Sequence, residues 1–175
     1  VPPADLHGRL TDCSAEGFAQ AMTVSVHSLI RMARLAEPLM AGGGSLITLS
    51  YLGGEKVVEH YNVMGPVKAA LESTVRYLAH ELGPANIRVN AISAGPVQTR
   101  AASGLTGFSG LLAATARTAP LRRNIQADEV GRAALLFVSD YTCGITGEVL
   151  HVDAGVHIES PVSGARNRPG EEVSS

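Results

Sequence analysis

The chain has 175 residues, of which 45% are hydrophobic and 17% charged, and its formal net charge is −2. That length and apolar share suffice for one packed domain and exclude a chain too polar to fold. The near-neutral balance argues against nucleic acid or an anionic membrane as partner, and no apolar run approaches the ~20 residues needed to span a bilayer.

Ser14 is placed to cap a helix, with Glu16 in its first turn. Phe18, Met22, Val26, Leu29, Ala33, Ala36 and Met40 then recur at spacings of three and four, one face of a long helix. Pro38 should loosen its last turn and Gly42-Gly43-Gly44 end it. Those glycines precede a strand and not a helix, so they read as a turn and not as a phosphate cradle. Residues 45–51 (SLITLSY) are a short, nearly continuous apolar run, as expected of a strand covered on both faces of a parallel sheet. After a loop over 52–60, the spacing of Met64, Val67, Leu71, Val75, Leu78 and Leu82 predicts a second helix over 62–82. Pro66 lies near its start, Glu72 and Arg76 form an i,i+4 pair on its surface, and Gly83-Pro84 stops it.

Residues 87–92 (IRVNAI) read as a second strand, and the Gly-containing stretch 93–108 as a long loop of the kind that often carries function. Helices over 108–117 and 128–138 and a third strand over 148–152 (EVLHV) follow. The polar, Pro/Gly-rich stretch 161–175 reads as a disordered tail, which leaves one domain over residues 1–160. The alternation of helix and strand predicts an α/β fold with a parallel sheet and right-handed crossovers.

In such sheets ligands bind at the carboxyl ends of the strands. Ser50 and Tyr51 close the first strand, residues 93–99 follow the second, and Tyr61 and Lys68 lie on the helix between them. Seven residues are about two helical turns, so Tyr61 and Lys68 share a face, and the lysine leans back toward the phenol. A phenol beside an ammonium can stabilise an oxyanion and donate a proton. Taken singly, a tyrosine at a helix start more often packs its ring and a helix lysine is more often solvated. The convergence of three segments on one rim is what argues for a site. His60 could relay a proton, although a solvated loop histidine is commoner. His7, His27, His80, His151 and His157 show no metal spacing. Cys13 and Cys143 fit no metal or redox spacing and suit a reducing compartment as free thiols, although they could also pair.

The run Leu49-Ser50-Tyr51-Leu52-Gly53-Gly54-Glu55-Lys56, then Tyr61-Asn62-Val63-Met64-Gly65 and Lys68-Ala69-Ala70-Leu71-Glu72, resembles the bacterial enoyl-acyl-carrier-protein reductases. So do Ile87-Arg88-Val89-Asn90-Ala91-Ile92-Ser93-Ala94-Gly95-Pro96, Thr99-Arg100-Ala101-Ala102-Ser103-Gly104, Gly147-Glu148-Val149 and Val152-Asp153-Ala154-Gly155. These enzymes are divergent members of the short-chain dehydrogenase/reductase superfamily. The likeness runs from about Leu6 to about Ile158. It is carried by Tyr-x6-Lys together with a second tyrosine ten residues upstream and the Ala-Ala-Ser-Gly loop. The superfamily's commoner Tyr-x3-Lys is absent: Tyr51, Tyr61, Tyr77 and Tyr141 are followed four residues later by Glu55, Gly65, Glu81 and Ile145, and residues 14–40 contain no Asn.

The resemblance implies a Rossmann-like doubly wound parallel sheet without its N-terminal strands, and hydride transfer from NADH to C3 of a trans-2-enoyl thioester. Tyr61 would hydrogen-bond the thioester oxygen. Lys68 would hold the nicotinamide ribose and, as a nearby charge, lower the phenol's pKa. Tyr51 would line the substrate site and assist orientation or protonation. Ser50, Val97, Gln98, Thr99, Arg100 and Ala101 would bound the cofactor, with Val97 and Thr99 offering backbone groups to its carboxamide. Met64, Ala101, Ala102 and Phe108 would form the acyl slot, with core packing an equal alternative for Met64 and Phe108. Implied partners are acyl carrier protein and, through the helix over 62–82, further copies in a homotetramer, in the cytoplasm. Arg122-Arg123 could meet the acidic carrier, although a solvated pair is commoner. Because the resembled family keeps its Gly-rich cofactor turn in a preceding portion, this chain alone is expected to bind NADH weakly, to be nearly inactive and to expose an apolar sheet edge. The competing readings are a short-chain reductase acting on carbonyl or polyketide substrates and a non-catalytic interaction module.

Overall fold

The computed structural model describes residues 3–6, 8–98 and 108–159. Ser14 caps the first helix as expected, its Oγ accepting from the Gly17 N–H at 3.0 Å. Asp5 locks that cap, accepting from Ser14 N at 2.7 Å and from Ser14 Oγ at 3.1 Å. A Cβ at Gly17 would lie 2.3 Å from Asp5 Oδ2, so only glycine lets the two approach. The helix runs as α1 (Ala15–Met22), a π-helical turn (Thr23–His27) and α2 (Ser28–Ala36). Pro38 sits in a terminal 3₁₀ turn, Glu37–Leu39. Gly43, at φ +87°, reverses the chain into β1 (Gly44–Ser50).

The remaining elements are α3 (Met64–Leu82), β2 (Ile87–Ala94), α4 (Phe108–Thr118), α5 (Ala127–Val138) and β3 (Val149–Val152). The strands form one parallel sheet in the order β1-β2-β3. Leu46 pairs with Val89, Ser50 with Ser93, and Ser93 with His151. Alternation along the strands separates two faces. Leu46, Ile87, Val89 and Ala91 pack under α3 with Val67, Leu71, Val75 and Leu78, and Leu29 and Ala33 of α2 close that core. The opposite face carries a smaller cluster, Ala119, Ile125 and Ala154 with Val130 and Val152. There, α5 is held by Ser45 Oγ and Arg88 Nη2, which donate to the Phe137 carbonyl at 3.0 and 2.7 Å.

Helices α3 and α5 therefore lie on opposite faces, although both crossovers step the same way across the sheet. The two crossovers must have opposite hands, which corrects the expectation that both are right-handed. The usual rule follows from a twisted strand feeding a helix directly back onto the sheet. The second connection, over residues 95–148, is too long and too segmented to be governed by that coupling. Among the described residues β1 is an edge strand, and Leu49 (55% exposed), Leu135 and Val138 leave apolar surface near it.

Candidate active site

The site grows from the carboxyl end of β1. Tyr51 continues the strand in extended conformation, and a 3₁₀ turn, Leu52–Gly54, folds back beneath the start of α3. Two glycines make that approach possible. A Cβ on Gly53 would come within 2.3 Å of Tyr61 Cδ1, and one on Gly54 within 2.6 Å of Glu72 Oε1. Tyr61 enters between His60 at φ 64° and Asn62 at φ 43°, both in the left-handed region that most side chains avoid. Such backbone conformations persist where the surroundings over-determine them, often at functional sites. Here Asn62 Nδ2 donates to the Asp5 carbonyl at 3.4 Å, and the Tyr61 carbonyl accepts from Met64 N at 3.1 Å.

The rings of Tyr51 and Tyr61 meet edge to face, centroids 4.7 Å apart and planes at 60°. Burial pushes both phenols above their ordinary pKa, Tyr61 the further, with Tyr51 adding to its shift. Among the described residues neither hydroxyl makes a hydrogen bond. Two neutral phenols with free O–H groups are hydrogen-bond donors for a developing oxyanion. Lys68, one face further along α3, is half-buried and donates to the Leu49 carbonyl at 2.8 Å. Burial lowers its pKa, and the Glu72 carboxylate opposes that shift. The expectation that Lys68 depresses the Tyr61 phenol is corrected here. The ammonium is turned to β1, and desolvation dominates the phenol.

Of the other expected residues, Ser50 is buried and its hydroxyl donates to Glu72 Oε1, so its side chain faces α3 and not the rim. Met64 packs on the larger core and Val97 on the smaller one, while Gln98 is exposed. Thr99, Arg100, Ala101, Ala102 and the side chain of Phe108 lie outside the described residues, as do residues 160–175. His60 is exposed, with its ring beside the Glu59 carboxylate. Arg123 is committed to Glu129 through two bonds of 2.8 and 2.7 Å, and Arg122 turns to the Arg117 carbonyl.

Glu72 was expected on the surface as the partner of Arg76. It is only 5% exposed and bonded to Ser50, because α3 turns this position inward over the end of β1. No sequence signal marks that inward turn, since a carboxylate four residues from both Lys68 and Arg76 fits a solvated helix face as well. A further polar group went unread. His151 meets Glu55 at 3.0 Å and stacks on His157 at 4.1 Å, and His157 is held by Asp153. Its members come from β3 and two loops, so no sequence spacing announces it.

Helices on both faces of a parallel sheet, with phenols and an ammonium at the carboxyl ends of its strands, define a Rossmann-like α/β domain with a ligand site in the expected place. The family model described as Enoyl-(Acyl carrier protein) reductase matches residues 1–157, and the chain belongs to that family. It is 52% identical over 153 residues to the NADH enoyl-[acyl-carrier-protein] reductase FabI of Synechocystis sp., covering 87% of this chain and 59% of that protein. It is 51% identical over 153 residues to the NADPH enzyme FabI of Staphylococcus aureus, covering 87% and 60%. The solved structure of the Anaplasma phagocytophilum enoyl-acyl-carrier-protein reductase in complex with NAD superposes with a TM-score of 0.85 at 54% identity, over 89% of this chain and 59% of that one. The chain thus spans about 59% of the length of the curated relatives it matches.

Proposed function

We propose that the protein reduces the trans-2 double bond of an enoyl thioester carried on acyl carrier protein, in fatty acid biosynthesis. The observation that carries this reading is the edge-to-face pair of Tyr51 and Tyr61, with Lys68 in the second turn of α3 beside it, at the carboxyl end of β1. The donor set fits a reduced nicotinamide nucleotide. An ammonium suits ribose hydroxyls, and the backbone of Gly95, Pro96 and Val97 follows directly from β2, with Thr99, Arg100 and Ala101 beyond it. NADH, when bound there, supplies the hydride. Relatives named for NADH and for NADPH match at 52% and 51% identity, so likeness alone does not choose between the two nucleotides.

Hydride adds at C3 of the substrate, and the electron pair of the double bond moves onto the thioester oxygen. Tyr61 donates a hydrogen bond to that oxygen as charge develops, a role its raised pKa suits because the phenol stays protonated. Tyr51 packs against the Tyr61 ring and limits its rotation while lining the same space. A proton taken from solvent water at C2 completes the saturated thioester. Lys68 would hold the nicotinamide ribose and keep positive charge beside the reaction.

Replacement in a chain that spans the whole length of its relatives tests these roles. Tyr61→Phe is expected to reduce turnover by about 100-fold or more, the scale of losing one oxyanion donor, with cofactor affinity little changed. Lys68→Ala should weaken both. Small, equal effects on a crotonyl-thioester assay would refute the roles, and preference for simple ketones would refute the reaction. The assembled protein is read as a homotetramer in the cytoplasm. The free thiols of Cys13 and Cys143 support that compartment, and the exposed apolar pair Ile30 and Tyr77 (71% exposed) between α2 and α3 supports the assembly.

A further inference from the structure

Lys68 and Glu72 lie one helical turn apart on α3, and each is tied to one of two consecutive residues at the end of β1. Lys68 Nζ donates to the Leu49 carbonyl at 2.8 Å, and Glu72 accepts from the Ser50 hydroxyl. Tyr51 is the next residue along the strand. The turn carrying Gly53 and Gly54 packs against the same helix, with Gly54 so close that a Cβ would strike the Glu72 carboxylate. A buried carboxylate is costly unless it is hydrogen-bonded or paired, so its presence in this wall calls for a purpose.

We propose that Glu72 is a positioning residue for the reduction. Its carboxylate ties the carboxyl end of β1 to α3 through Ser50, and it supports the Lys68 ammonium one turn away. This rests on the reading of Tyr51, Tyr61 and Lys68 given above. When Lys68 turns to a ribose it gives up Leu49, and the Ser50–Glu72 bond becomes the tie that keeps Tyr51 in register with Tyr61. The groups facing Glu72 are Lys68 and Arg76 on α3, Ser50 on β1, Glu55 on the following loop and His151 on β3. Burial raises the Glu72 pKa, the Ser50 hydrogen bond, His151 and Arg76 oppose that, and Glu55 adds to it.

The test separates charge from mere packing. In Glu72→Gln, which keeps shape and an acceptor for Ser50, turnover is expected to fall about 10-fold with KM for the enoyl thioester within about twofold, on the scale of one lost charge–charge interaction near a site. The alkaline limb of the pH–turnover profile should move to lower pH, because Lys68 loses the charge that opposes its desolvation. Glu72→Asp should keep the limb in place while lowering turnover. Ser50→Ala with Glu72→Gln should be non-additive. The chain has two lysines, Lys56 and Lys68, so 13Cε-lysine NMR reads the Lys68 titration directly. That titration should fall in Glu72→Gln and hold in Ser50→Ala, which keeps the Glu72 charge but lowers turnover by releasing the end of β1. A Lys68 titration unmoved in Glu72→Gln, a Glu72→Gln variant with wild-type turnover and profile, or, where that variant does not fold, wild-type turnover in Ser50→Ala would overturn the proposal. If the wild type, in a chain that spans the whole length of its relatives, reduces no enoyl thioester, the reading of the function fails instead, and the lysine titration still decides the role of Glu72.

Discussion

The two faces of the sheet are anchored by different chemistry. Under α5 the polar ties are Ser45 and Arg88, and both end on the backbone carbonyl of Phe137, which cannot titrate. Under α3 the ties are Ser50 to Glu72 and Lys68 to Leu49, and two of those groups can change charge. The α3 face also holds the larger aliphatic core. One face therefore fixes the sheet. The other supports it equally well while carrying groups whose charge can respond to a ligand or to pH.

The comparison breaks first on packing. Leu71→Ala, on the α3 face where the side chain is 1% exposed, should cost about 2–5 kcal/mol by the usual scale for emptied core sites. Ile125→Ala on the α5 face should fall at the low end of that range, about 2 kcal/mol, because its cluster is small and open enough to relax. Urea unfolding of both variants checks the difference, and equal losses would mean the two cores are one. Next comes Gly53→Ala, where the added methyl meets the Tyr61 ring. It should cost about 1–3 kcal/mol through overpacking and should depress turnover more than stability predicts.

The carboxylates on the two faces give pH slopes of opposite sign. Glu72 has a raised pKa in the folded state, so its contribution favours folding below the ordinary value of 4.5 and is lost as pH rises through the folded value. Glu129, bonded by Arg123 and by the Gln126 N–H, is held down at about 2. Its contribution is present above 4.5 and is lost as pH falls toward 2. Denaturation across the acid range should therefore lose one slope in Glu72→Gln and the other in Glu129→Gln. A single variant removing both slopes would contradict the assignment. The smallest effect is expected at Arg132, whose pair with Asp128 is 2.7 Å long but lies on exposed surface. Arg132→Ala should change stability by less than about 0.5 kcal/mol.

Much of this was legible before any coordinates. The apolar spacing of Met64 through Leu82 gave α3 to within two residues of its start, and Ser14 was recognisable as a cap because its neighbours supply the first turn. Tyr51, Tyr61 and Lys68 could be selected together because they follow one strand end in close succession, but the helix face expected to join Tyr61 to Lys68 is corrected: α3 begins at Met64 and Tyr61 lies in the turn before it. The inward turn of Glu72 was not legible, since a charged residue at i+4 from a lysine and i−4 from an arginine fits a solvated face equally well. The need for glycine at 53 and 54 was also hidden, because only the approach of another segment makes a Cβ impossible.

The sequence by itself determined the elements, their order, the parallel sheet and the family, because those follow from local periodicity and from motifs that are contiguous in the chain. Only the tertiary structure decided which face each helix covers, and hence the opposite hands of the crossovers. It also decided the charge environment of the site. Burial sets the phenols and Lys68 apart from their ordinary values, and burial is produced by segments far apart in sequence.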